Sequence, residues 1–242
     1  MDFRVMSYNI HKCVGGLDRR HDPARVAEAI AACAPDILLL QEAQSRDEEA
    51  GCRSQVDILA ERLNYRHRAY FPNVPRRRGR YGNAILSRWP ILETQHIDLT
   101  IPPKKRRSVV HARLRLRSPS GRGRTLHVYN LHLGLSGVER GLQLRRFLAS
   151  HPFAGLHARA PVVLGGDFND LWGTLGRRFL APAGFRGPAR APFTFPAFAP
   201  LRALDSLYVR GDVRMLHLRR ERRAAARRAS DHLPIVAELS LA

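Results

Sequence analysis

At 242 residues, 44% of them hydrophobic and 26% charged, the chain is long enough to bury a sizeable core and too apolar to be disordered. Its 41 lysines and arginines outnumber its 21 acids, and a net charge of +20 favours anionic partners: nucleic acid, lipid headgroups or phosphorylated small molecules. The three cysteines (Cys13, Cys33 and Cys52) are odd in number and exclude a disulfide framework, and no apolar run approaches the length of a membrane span.

The N-terminal "MDFRVMSYNI" lacks the charged and apolar regions of a secretory signal, so we expect a soluble protein of the reducing cytoplasm. "FRVMSYNI" (3–10) reads as a first strand. A helix follows, capped by Asp22 with Pro23 at its first position, and Val26, Ala29, Ile30 and Cys33 share one face. "PDILLLQE" (35–42) is a continuous apolar run, typical of a strand buried on both faces. A second helix fits 54–63, with Val56, Leu59, Ala60 and Leu63 in register. Strand-like runs come next at 82–88 and 90–99. In "SVVHARLRLR" (108–117), alternation turns Val110, Ala112, Leu114 and Leu116 inward and His111, Arg113, Arg115 and Arg117 outward. Another strand covers 124–133. Ser136 and Glu139 then open an amphipathic helix over 136–150. "PVVLGG" (161–166) is a buried strand, and strands return after 203 in "ALDSLYV", "VRMLHLR" and "LPIVAELSL". The basic segments 76–80, 104–107 and 219–228 read as loops or edges, and no linker divides the chain. These elements predict one α/β domain over 1–242, two packed sheets covered by helices.

Chemistry collects at strand ends. Asn9 lies near the end of the first strand and Glu42 follows "DILLLQ". Asn130 and His132 close "LHVYNLHL", two apart and on one face. Asp167 and Asn169 close "VVLGG", Asp205 lies within "RALDSLYV", and Asp231 and His232 precede "LPIVAEL". Each alone reads as a turn residue or a cap; six such ends in one sheet protein predict a shared cleft.

The stretches "SYNIH" (7–11), "LLLQE" (38–42), "RYGNAILSR" (80–88), "NLHLG" (130–134), "GGDFND" (165–170), "ALDSLYV" (203–209) and "SDHLPIVAEL" (230–239) resemble, in order, the endonuclease/exonuclease/phosphatase superfamily. That superfamily includes DNase I, abasic-site endonucleases, inositol-phosphate phosphatases and neutral sphingomyelinases. The resemblance implies a four-layer α/β sandwich with the site where the sheets meet. It implies that Asn9 and Glu42 hold a divalent metal, Mg²⁺ with Mn²⁺ as substitute, and that Asp231 supports that side. Asp167 would orient or deprotonate the attacking water, and Asn169 would contact the phosphate. His132 and His232 would donate to phosphate oxygens, with Asp205 fixing the His232 ring. In nuclease-like members an acid precedes "RYGN"; here Gly79 and Arg80 stand there, so the partner of His132 is open. His11 reads equally as a substrate contact or a structural residue.

The chemistry needs these residue types. A hard cation takes oxygen ligands and neutralises charge on phosphoryl oxygens, a carboxylate positions water, and a histidine locked by an acid presents one defined N–H. A zinc site from His11, Cys13 and His21 matches no standard spacing. A serine hydrolase built on Ser230, Asp231 and His232 lacks the nucleophile elbow. The basic runs favour a nuclease-like phosphodiesterase. The apolar, aromatic "APFTFPAFAP" (191–200), with Phe193, Phe195 and Phe198, reads as a core wall beside the site or, if exposed, as support for the alternative, a lipid or headgroup phosphodiesterase. A third reading, a non-catalytic nucleic-acid binder, meets scarce aromatics, 7% of the chain, that do not interleave with the arginine runs.

Overall fold

The computed structural model describes residues 1–45, 53–75, 77, 79–117, 121 and 123–241; Cys52, Arg76 and Arg78 lie outside the described residues. Within them are eleven strands and four α-helices. The strands are β1 (Asp2–Asn9), β2 (Ile37–Ser45), β3 (His67–Pro75), β4 (Arg80–Ser87), β5 (Ile91–Asp98), β6 (Ser108–Arg117), β7 (Gly123–His132), β8 (Val162–Asp167), β9 (Asp205–Arg210), β10 (Val213–Arg220) and β11 (Ile235–Leu241). The helices are α1 (Pro23–Ala31), α2 (Gln55–Arg62), α3 (Gly137–Ala149) and α4 (Ala224–Ala229).

The strands form two mixed sheets, ordered β10-β11-β1-β2-β4-β3 and β5-β6-β7-β8-β9. Strand alternation explains how they stack. Val5, Leu39 and Ile85 of the first sheet meet Val110, Ala112, Leu114, Val128 and Val163 of the second in a common apolar interior. The opposite face of the first sheet, with Met6, Leu38 and Leu40, packs on Val26 and Ile30 of α1, Val56 and Leu59 of α2, and Ala226 of α4. The opposite face of the second, with Tyr129, Leu131 and Leu164, packs on Leu144 and Phe147 of α3. The result is the expected four-layer sandwich.

Helix starts follow the sequence signals. The Asp22 carboxylate accepts from Ala24 N at 2.9 Å, and the hydroxyls of Ser54 and Ser136 accept from Asp57 N and Glu139 N at 3.0 and 3.2 Å. Three readings need correction. The segment 67–75, assigned no element from its sequence, is strand β3; it lies at a sheet edge, where the missing N–H of its prolines breaks no interior ladder. The basic run 219–228 is not all loop, because α4 lies within its end and buries Ala226 and Ala229. His111 does not face water: although Arg115 and Arg117 on the same face of β6 are exposed, its ring is fully buried, stacked between His127 and Tyr129 at 5.3 and 4.6 Å centroid to centroid. Cys13 and Cys33 are buried free thiols. Among the described residues no helix is long and apolar enough to cross a membrane.

Candidate active site

Strand register assembles the first row of the site. The parallel pairing of β7 with β8 sets His132 beside Asp167, and the antiparallel pairing of β8 with β9 sets Asp167 beside Asp205. The chain can reach this row because residue 166 is glycine: its φ is 145°, and a Cβ there would stand 2.0 Å from the Leu131 carbonyl oxygen. Asn9, closing β1 in the other sheet, reaches across and donates its Nδ2–H to Asp167 Oδ2 at 3.0 Å. His132 Nε2 and His232 Nε2 lie 3.5 and 3.8 Å from the same oxygen. Asn169 donates its backbone N–H to Asp167 Oδ1 at 2.9 Å and its Nδ2–H to Leu133 O at 2.9 Å. The second sheet thus supplies acids, the first an amide, and the loop before β11 a histidine.

Behind His232, Nδ1 lies 2.9 Å from Asp205 Oδ2, which also accepts the Thr194 hydroxyl at 2.5 Å. Burial disfavours charge on His232, but Asp205 and Asp167 on either side outweigh it and push its pKa up to about 10, which favours the imidazolium. Burial pushes Asp167 up to about 6, with His232 opposing. His132 moves the other way: burial first, then Arg107 and His232, hold it well below the usual histidine range, and it stays neutral. Ligand atoms of Asp167, Asp205 and His232 lie within 4.8 Å of one another, close enough to suggest a metal site. Asp205 Oδ2 is already occupied by the His232 ring and the Thr194 hydroxyl, so we read this trio as a hydrogen-bonded charge network.

Glu42 stands apart from this trio, in a bulge of β2. The β2–β4 ladder skips from Leu40–Ala84 to Ala43–Gly82, and within this bulge Glu42 adopts a φ of 55°. A bulge re-aims a side chain, here at a backbone cost of about 1–3 kcal/mol. Lys12 approaches from a left-handed turn, His11–Cys13, whose φ values are 44°, 60° and 57°. The turn is pinned by His11 N–H to Asn9 Oδ1 at 3.1 Å and Gln55 Nε2–H to Lys12 O at 2.7 Å. The Lys12 ammonium bonds Glu42 Oε2. Burial pushes the Glu42 carboxyl up, but the charge and hydrogen bond of Lys12, then His11 and Lys105, outweigh it and hold it below its ordinary value. Glu42 and His132 line one narrow cleft with Tyr81, Asn83, Arg106 and Arg107, and Lys105 sits 5.3 Å over the Tyr81 ring. Part of "KKRR" is therefore a wall of the site.

Asp231 stands beside the row, 3.3 Å from Ser230 Oγ and 3.6 Å from His11 Nδ1. His11 Nδ1 also lies 3.1 Å from the Val14 carbonyl oxygen. Glu42, Asp231 and the Asn9 carboxamide offer oxygen donors, and the Lys12 ammonium on Glu42 marks that carboxylate as one that attracts positive charge. That set suits a hard divalent cation. It does not suit zinc: Cys13 faces the apolar core, and His21 Nε2 lies 3.0 Å from Gln55.

Asn130, grouped with His132 at the strand end, serves another purpose. It is fully buried, donates to Leu40 O and Ala84 O at 2.8 Å each, and accepts from Gln41 at 2.7 Å. Two residues at the centre were missed, Lys12 and Thr194. Lys12 had a signal: all but three of the 41 basic residues are arginine, and the three lysines are Lys12, Lys104 and Lys105. Thr194 was hidden as one hydroxyl in an apolar stretch.

The model of the Endonuclease/Exonuclease/phosphatase family matches residues 6–232. YbhP of Escherichia coli K12, described as uncharacterized, is 30% identical over 251 aligned residues, covering 99% of this chain and 96% of YbhP. The crystal structure of an endonuclease/exonuclease/phosphatase from Beutenbergia cavernae superposes with a TM-score of 0.80 at 26% identity, over 99% of this chain and 72% of that one. ANGEL2, a 2′,3′-cyclic phosphatase solved with adenosine-2′,3′-vanadate, superposes at 0.72 with 18% identity, over 100% of this chain and 96% of that one, a likeness of fold alone.

Proposed function

The chain belongs to the endonuclease/exonuclease/phosphatase family, and on that premise we propose that it hydrolyses a phosphodiester with the help of a divalent cation. The observation that carries this reading is the convergence on one Asp167 oxygen of Asn9, His132 and His232, from both sheets and the loop before β11. Glu42, Asn9 Oδ1 and Asp231 would hold Mg²⁺ or Mn²⁺, which when bound neutralises charge on the phosphoryl oxygens. Asp167, held by Asn9 and Asn169, takes a proton from water as that water forms its bond to phosphorus. The bond from phosphorus to the leaving oxygen breaks on the far side, and the leaving oxygen takes a proton from solvent. The His232 imidazolium, fixed by Asp205, donates to the phosphoryl oxygen where charge accumulates; neutral His132 donates a second hydrogen bond, and Asn169 a third.

The +20 charge and the basic wall beside Glu42 suit an anionic substrate. A nuclease-like activity and a lipid headgroup activity share this chemistry and part company only outside the reacting centre. The test is hydrolysis of bis(p-nitrophenyl) phosphate in Mg²⁺ and Mn²⁺. Asp167→Asn should lower kcat by about 10²–10⁴-fold, the range for a positioned base, with an unchanged circular dichroism spectrum. A near-normal rate would remove Asp167 from its role, and no turnover by the parent in either metal would remove the reading.

A further inference from the structure

The large apolar side chains that stand in water are unevenly placed. The five most exposed among the described residues, from Leu17 at 68% to Trp172 at 82%, all sit at the end of the molecule that carries the candidate site. Leu17 is in the loop after β1, Leu135 and Val138 follow β7, Trp172 follows β8, and Leu201 precedes β9. Hydrogen bonds stitch these loops into one rim: Leu133 N to Asp167 O, Phe168 N to Leu204 O, and Ala197 N to Asp231 O, at 2.9, 2.9 and 2.7 Å. Leu17 and the half-exposed Phe198 line a shared cavity of about 220 Å³ with Arg19 and Arg227. Phe195, also on that cavity, places its ring 5.0 Å from the His232 ring.

The same rim is basic. Lys104, Lys105 and Arg106 flank it on the Glu42 side, Arg19 and Arg227 on the His232 side, and all five are exposed. The acids of the Leu17 loop, Asp18 and Asp22, are both paired with Arg25. Apolar tips ringed by unneutralised cations fit one kind of surface, a bilayer with anionic headgroups: the tips enter the acyl boundary while the cations meet the phosphates. A second copy of this chain would bring like charge against like charge. A single nucleic-acid strand would find aromatic faces in Trp172 and Phe198, but Leu17, Leu135, Val138 and Leu201 offer a base nothing to stack on.

We infer that the mouth of the site is a docking ring for an anionic lipid surface, which presents the phosphodiester from its headgroup layer. The second clause rests on the phosphodiesterase reading; the docking itself does not. The test mixes the full chain with vesicles of equal parts phosphatidylcholine and phosphatidylglycerol, or of phosphatidylcholine alone. It reads sedimentation, and tryptophan emission in a Trp89→Phe background where Trp172 is the reporter. The mixed vesicles should bind and shift the emission to the blue. Trp172→Ala and Val138→Asp should each weaken binding at least about tenfold, with turnover of bis(p-nitrophenyl) phosphate unchanged. Binding to neither vesicle, equal binding by Val138→Asp, or binding of single-stranded DNA with none of vesicles would overturn the docking ring. Vesicle binding without hydrolysis of any diester would leave the ring standing and remove the phosphodiesterase reading.

Discussion

Lys12 and Glu42 form an ion pair at the place where we propose that a metal binds, and both are mostly buried. A cation that enters must share Glu42 with the ammonium or displace it. Lys12→Met therefore has two effects of opposite sign. It leaves a buried carboxylate without its partner, so the metal-free protein should melt at a lower temperature. It also empties the place beside Glu42, so half-saturation by Mn²⁺, read from the rise in melting temperature, should move to about tenfold lower concentration, a change of ~1.4 kcal/mol. Loss of the Mn²⁺ response in Lys12→Met would show that lysine helps to hold the metal and does not compete with it. Thr194 acts one bond further back. Its hydroxyl and the His232 ring share Asp205 Oδ2, while Asp205 Oδ1 has no partner among the described residues. A hydrogen bond to a charged acceptor contributes about 1.5–3 kcal/mol. Thr194→Val should let the carboxylate turn and lower kcat by roughly tenfold at unchanged KM, and Thr194→Ser should restore it. If serine fails to rescue, methyl packing and not the hydroxyl is what the position supplies.

At the scale of elements, β6 and β7 hold a stacked pair of histidines. His111 Nε2 lies 3.0 Å from His127 Nδ1, with Glu93, Arg113 and His151 around them. Burial, then His127, pushes His111 down to about 4, and burial lowers His127 as well. The folded state keeps His111 neutral, while the unfolded chain takes up a proton below about 6.5. Stability should therefore be full above that pH, fall as the pH drops toward 4, and level off below it; the drop from His111 is about 3 kcal/mol at most. Urea unfolding at pH 7 and pH 4.5 measures it, and His111→Phe should reduce the difference between the two; an equal slope in the variant would contradict the assignment. The misreading of His111 also shows what alternation carries. It divides a strand into two faces and does not say where along a face neighbouring rings will cover it. Elements whose pattern and caps agree, such as α1 behind Asp22 and the apolar runs of β2 and β8, were legible. β3 was not, because its prolines are tolerated only by virtue of an edge position that the whole sheet decides. α4 was not, because six residues of alanine and arginine carry no period of their own and fold onto α1.

At the scale of the whole molecule, the candidate site exists only because two sheets are held in one relative position, and the polar residues at the strand ends divide into those that do chemistry and those that hold the position. The strand ends themselves were visible in the sequence; the division was not, since Asn9, Asn130 and Asn169 are the same residue type in similar settings. Burial and partners separate them. Asn130 lies on β7 in one sheet and bonds Leu40 O on β2, Ala84 O on β4 and the Gln41 side chain, all in the other. It fills the gap that the β2–β4 bulge leaves in the ladder, the same bulge that aims Glu42. Asn130→Ala would leave two buried carbonyls, Leu40 O and Ala84 O, short of a partner in a region closed to water, while the Gln41 amide keeps Ser7 Oγ and Leu39 O. At about 1–3 kcal/mol for each unsatisfied group, partly relieved by relaxation, the loss should be about 3 kcal/mol. The consequence for the site is specific: once the bulge is loosened, Glu42 loses its aim, so the variant should need more Mg²⁺ for half-maximal turnover even at temperatures where it remains folded. Denaturant unfolding together with a metal titration at low temperature separates the two effects. A variant that lost stability but kept the parent's metal requirement would mean that the bulge is held by β2 and β4 alone, and that the second sheet contributes residues to the cleft without setting its geometry.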